Sequence, residues 1–123
     1  LSRAHDTALY VSRELDMPVK VIRDISERDW GEYEGRPRIE ARRGATPLKG
    51  ETREAFTARV ISGFGMIPAE GLPLIVAHSG VYRVLCRTLG VEEPREPIAN
   101  CQPLRIEPPT SPGGLWTVIP LPF

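Results

Sequence analysis

Pro73-Leu74-Ile75-Val76-Ala77-His78-Ser79-Gly80-Val81-Tyr82-Arg83-Val84-Leu85 is the stretch that decides the fold. Pro73 to Ala77 is a compact apolar run of strand length containing Ile and Val, and it follows a glycine-containing turn. Such a run predicts a buried strand rather than a helix. After His78-Ser79-Gly80 the period changes. Val81, Val84, Leu85, Thr88 and Leu89 recur at helical spacing until Gly90 stops them. A strand that ends in His-Ser-Gly and feeds a helix aims several unpaired backbone N–H groups at one point, with the helix dipole behind them. Ligands of open α/β sheets bind outside the carboxyl ends of strands, where His78 falls. The plainer alternative is a histidine that only caps the turn.

Toward the N-terminus, Thr52 to Met66 predicts a helix with Phe56, Val60, Phe64 and Ile67 on one face and Thr52 as its cap. Gly63 and Gly65 weaken its last turn. Gly44 to Gly50 reads as a loop. A short helix is expected after Gly35, with Pro37 in its first turn and Arg42-Arg43 near its end. Ser26 to Gly35 is a polar loop carrying Glu27, Asp29, Trp30, Glu32 and Glu34, and Val19 to Ile22 predicts a short strand. Leu1, Ala4, Ala8, Val11 and Leu15 mark a first helix that stops before Pro18. The sequence opens inside that helical pattern with no Met and no cap, which predicts an upstream segment. Toward the C-terminus lie eight of the thirteen prolines, from Pro94 onward, so no long helix is expected there. Leu104 to Ile106 and Trp116 to Ile119 predict short strands at a sheet edge. The alternation of helices and strands indicates an α/β domain.

Sixteen basic and sixteen acidic residues cancel, with a pI near 6.9. That balance lacks the basic field of nucleic-acid or anionic-membrane binders, but it leaves room for a local cationic pocket. The longest apolar run, Leu72 to Ala77, is far too short to span a bilayer. Cys86 and Cys101 show no metal-ligand spacing; two reduced thiols are the simpler reading and one disulfide the alternative. With His5 and His78 the only histidines, a zinc site is not indicated. The expected compartment is cytoplasmic, with no cofactor, no metal, no nucleic acid and no membrane partner.

Two further residues carry possible chemistry. Arg3 lies beside the apolar stripe of the first helix, where a guanidinium can fork onto a phosphate. The alternative is a surface arginine paired with Asp6, a contact of little worth. Glu27 stands in a loop with aromatic neighbours, and a carboxyl shielded from water can shuttle protons near neutral pH. Solvated acidic loops are common too, and that is the default for Glu32 and Glu34.

Taken in order, these pieces resemble the histidine phosphatase superfamily, whose members are phosphoglycerate-mutase-like. Arg3-Ala4 with Thr7-Ala8 is similar to its second arginine motif. Glu27, Gly31 and Glu34-Gly35 are similar to its acid loop. Gly50-Glu51-Thr52 with Glu54 and Arg59 is similar to a helix-start motif, and Val76 to Arg83 to its second-histidine motif, with Ser79 where Gly is usual. The resemblance implies a three-layer α/β/α sandwich and phosphoryl transfer through a phosphohistidine, which splits one slow hydrolysis into two easier steps. It also implies that Arg3, His78 and the Ser79 backbone bind the phosphoryl group, while Glu27 protonates the leaving oxygen and later activates water. The family nucleophile stands in an Arg-His-Gly motif ending the first strand, and no Arg-His-Gly occurs in residues 1–123. The expectation is therefore a single partial domain over 1–123 that lacks its first strand and does not turn over substrate alone. The short stretch from Glu27 to Gly50 resembles the phosphatase branch, so the complete protein is expected to be a phosphomonoesterase. Its implied ligands are small phosphorylated metabolites or inorganic phosphate. Arg36, Arg38, Arg42 and Arg43 are candidates for an anion-selecting entrance, or equally for a solvated helix face. The alternative function is a non-catalytic phospho-ligand-binding or oligomerisation module, since an exposed sheet gap invites pairing between copies.

Overall fold

The computed structural model of the chain describes residues 2–36, 46–91 and 98–122. It divides into two compact units, Leu1–Val81 and Tyr82–Phe123.

The first unit opens with helix α1 (Ser2–Leu15). Ala4, Ala8 and Val11 on its predicted stripe are half-buried, while Leu15 at the end is exposed. Asp16 at φ +51° and Pro18 just beyond stop the helix where the sequence predicts. Helix α2 (Arg53–Gly65) begins at a working cap: the Ala55 N–H donates to Thr52 Oγ1 at 3.0 Å. It buries Phe56, Val60 and Gly63, which lie one and two turns apart on one face. Gly63, which the sequence marks only as a weak spot, is a contact point. A Cβ there would lie 2.7 Å from Ile25 Cγ2 and 2.8 Å from Asp24 Cβ. Glycine thus lets the 3-10 turn Arg23–Ile25 lie directly on the helix.

Two predicted strands are corrected. Val19–Ile22 and Pro73–Ala77 have no strand ladder among the described residues. Pro73–Ala77 is also not buried as predicted: Leu74 is 58% and Ile75 39% exposed, and Leu72 before it is 88% exposed. An apolar β-branched run records what a segment needs to bury, whereas a strand also needs a neighbour to complete its hydrogen bonds. The segment still delivers the chain to helix α3 (Ser79–Leu89) with His78 immediately ahead of it.

From Tyr82 the second unit continues α3, whose Val84 and Cys86 are buried. Gly90 at φ +69° ends it in a Schellman turn, with Val91 N–H bonding Cys86 O at 2.9 Å and Gly90 N–H bonding Arg87 O at 3.3 Å. Strands β1 (Leu104–Glu107) and β2 (Thr117–Pro120) then pair antiparallel, with Ile106 opposite Val118. Gln102 locks their open end by donating from Nε2 to Leu121 O at 2.8 Å. Both cysteines are free thiols, Cys86 buried and Cys101 exposed. The described structure is a mixed one of helices and a two-stranded sheet, compatible with an α/β fold. The short helix expected after Gly35 lies outside the described residues. Among the described residues no helix is long and apolar enough to cross a membrane.

Candidate active site

The site is built at the first turn of α3. The Ser79 and Gly80 N–H groups there have no helical carbonyl to bond. His78 directly precedes them and is half-buried, and Ser79 is exposed. Glu27 reaches the same turn from the loop behind Arg23–Ile25. A Cβ at Gly80 would collide with Glu27 Oε1, and would lie 3.2 Å from its Cδ and 3.3 Å from Phe56 Cζ. The glutamate carboxylate and the buried Phe56 ring therefore share the space that glycine leaves open. Glu27 Oε1 also accepts the Arg28 backbone N–H at 2.9 Å.

Electrostatics tie three of the predicted residues together. Burial pushes the His78 imidazole below its ordinary pKa, the Glu27 charge pulls it back up, and the Arg3 charge pushes it down. Arg3 is exposed on α1, where its carbonyl accepts the Thr7 hydroxyl at 2.9 Å. Among the described residues it makes no ion pair with Asp6. Glu27 and His78 thus set a carboxylate and an imidazole at a helix N-terminus, with the Arg3 charge acting on the imidazole. That combination can hold an oxyanion and move a proton beside it. The described residues contain no cluster of His, Cys, Asp and Glu suited to a metal ion.

The Glu27 loop is held by groups to which the sequence assigns no role. Arg59 on α2 forks onto Glu51, with Nε to Oε1 at 2.8 Å and Nη2 to Oε2 at 2.7 Å. Its Nη1 donates to Asp24 O at 2.7 Å, Ser26 Oγ at 3.2 Å and Ser26 O at 3.3 Å, and Nη2 reaches Glu27 O at 3.4 Å. The Arg59 fork, outweighing burial, holds the Glu51 carboxyl below its usual range, helped by an Asp29 backbone contact and the Arg28 charge. Its contribution to folding is therefore complete above the ordinary carboxylate range, and it fades only as acid protonates Glu51 below that range. Glu51 N–H also bonds Asp29 O at 2.9 Å, and Arg28 Nε bonds Glu51 O at 2.9 Å. The Arg28 guanidinium lies over the Trp30 ring, 4.4 Å from its centroid. The signal for this network was the Gly50-Glu51-Thr52 motif with Arg59, which sets a carboxylate just ahead of α2 and a guanidinium two turns in.

A family model described as histidine phosphatase superfamily (branch 1) matches residues 1–109. The chain belongs to the histidine phosphatase superfamily. That stretch takes in Arg3, Glu27, the Gly50-to-Arg59 motif and His78, the parts that carry the family resemblance in the sequence. No curated protein and no solved structure matches this histidine-phosphatase chain.

Proposed function

We propose that this chain is the phosphoryl-binding and proton-transferring part of a phosphomonoesterase that works through a phosphohistidine. In this reading the complete domain is a three-layer α/β/α sandwich, and its nucleophile stands in an Arg-His-Gly outside residues 1–123. Substrates are small phosphorylated metabolites met in the cytoplasm. The observation that carries the reading is the convergence of Glu27 and His78 on the glycine-opened first turn of α3, within reach of the Arg3 charge.

The chemistry follows from those groups. Arg3, His78 and the Ser79 and Gly80 N–H groups hold the phosphoryl oxygens while charge spreads over them. The nucleophilic imidazole nitrogen bonds to phosphorus as the P–O ester bond breaks, and Glu27 gives its proton to the departing oxygen. Glu27, now a carboxylate, takes a proton from water as that water attacks phosphorus and the histidine leaves. Inorganic phosphate and the starting enzyme result.

The test is to treat the full-length protein with a radiolabelled phosphomonoester, quench in alkali, and locate the label. Acid-labile, alkali-stable label on a histidine of an Arg-His-Gly, lost when that histidine is replaced by alanine, is the expected result. Absence of both label and turnover, with saturable phosphate binding retained, would establish the non-catalytic phospho-ligand module in its place.

A further inference from the structure

We propose that Arg59 is a positioning residue for Glu27, fixing the acid loop from the helix side so that the carboxylate stays against Gly80. The proposal rests on the phosphatase reading for its functional meaning, but its geometry stands apart from that reading. Every nitrogen of the Arg59 guanidinium donates: Nε and Nη2 to the Glu51 carboxylate, Nη1 to Asp24 O and to the carbonyl and hydroxyl of Ser26, and Nη2 also to Glu27 O. A guanidinium has a rigid, planar fork of donors, so this set of bonds dictates where those carbonyls lie. The Arg59 side chain is 26% exposed and that of Glu51 16%, so their ion pair is partly shielded from water. Close contact of the Arg23–Ile25 turn with Gly63 fixes the loop one helical turn further along α2. The backbone of Glu27 is thereby held from α2, and its carboxylate lies in the space that Gly80 of α3 leaves open.

The charges acting on His78 are Glu27 from the loop, Arg3 from α1 and the amino terminus ahead of α1; Glu27 is the one anion among them, which makes the imidazole a reporter of where Glu27 sits. Its titration is to be followed by NMR in the protein and in Glu27→Gln, Arg59→Gln, Arg59→Lys and the Glu27→Gln/Arg59→Gln double variant. Loss of the Glu27 charge lowers the His78 pKa. Arg59→Gln is expected to lower it too, because the freed loop lets Glu27 drift away, and to add nothing once Glu27 is already Gln. Loss of the Arg59 charge acting directly would have the opposite sign, raising the His78 pKa. Arg59→Lys keeps a cation beside Glu51 but not the fork, so it stays folded and gives a smaller fall. In the catalytically complete protein the two single Arg59 variants lower kcat about 10- to 100-fold with KM changed less than about threefold, the pattern of a misplaced proton donor. An unchanged or raised His78 pKa in folded Arg59 variants overturns the proposal, as does a further fall in the double variant. The titration needs no turnover, so the phosphatase reading can fail while this result stands, and the reverse.

Discussion

Gly80→Ala is expected to abolish most of the turnover of the complete enzyme while leaving the fold as stable as before or slightly more so. The new methyl would occupy the position of Glu27 Oε1 and crowd the Phe56 ring. The atom it displaces is the far end of a flexible side chain, so the protein relieves the clash by turning Glu27 away. The steric cost is then small, and alanine in place of glycine favours a helix by up to about 1 kcal/mol. Displacing a proton donor by about 1 Å can cost on the order of 100-fold in rate, and that is the expected fall in kcat. Thermal unfolding and steady-state kinetics on the same preparation check both halves. A large loss of stability would show that Gly80 serves packing alone.

Glu27→Gln is expected to lower kcat by about 100- to 10,000-fold for alkyl phosphates, whose leaving oxygen needs a proton, in line with general acid–base catalysis. For p-nitrophenyl phosphate the leaving group departs without that proton, so the first step should be nearly spared. The second step still needs a base to activate water. The variant is therefore expected to release a burst of nitrophenol and then stall as phosphoenzyme, a pattern that rapid-mixing absorbance reads directly. Equal losses for both ester classes with no burst would remove Glu27 from proton transfer.

The elements set by local chemistry were legible in the sequence. Thr52 capped α2, Gly90 ended α3, and Pro18 marked the close of α1, because caps and stops are decided within a turn of chain. The β1–β2 pair was legible for the same reason, as two short β-branched runs close enough to find each other. Val19–Ile22 and Pro73–Ala77 read as strands and are not, because pairing depends on a neighbour that no local pattern records. At the site, Arg3, Glu27 and His78 were visible as residue types in suggestive places. The role of Gly80 was hidden, since a glycine after a histidine reads as a loosened turn until a carboxylate is seen filling the space. The motif showed Glu51 and Arg59 together, but the hold of Arg59 on the acid loop was hidden, because those partners are loop oxygens more than thirty residues away in sequence.

The most direct test of the central claim, that Arg3, Glu27 and His78 form one phosphoryl site, is an NMR titration of His78 with and without inorganic phosphate. In the free protein, burial holds the imidazole below its ordinary pKa. A bound phosphate dianion favours the imidazolium, so phosphate should raise the His78 pKa, and by linkage phosphate affinity should weaken as pH rises through the new value. Arg3→Ala should weaken that binding by about 10- to 100-fold, the loss of a charge-assisted forked contact. The predicted result is a raised His78 pKa that Arg3→Ala removes. A His78 titration indifferent to phosphate, or one that shifts equally without Arg3, would contradict the account.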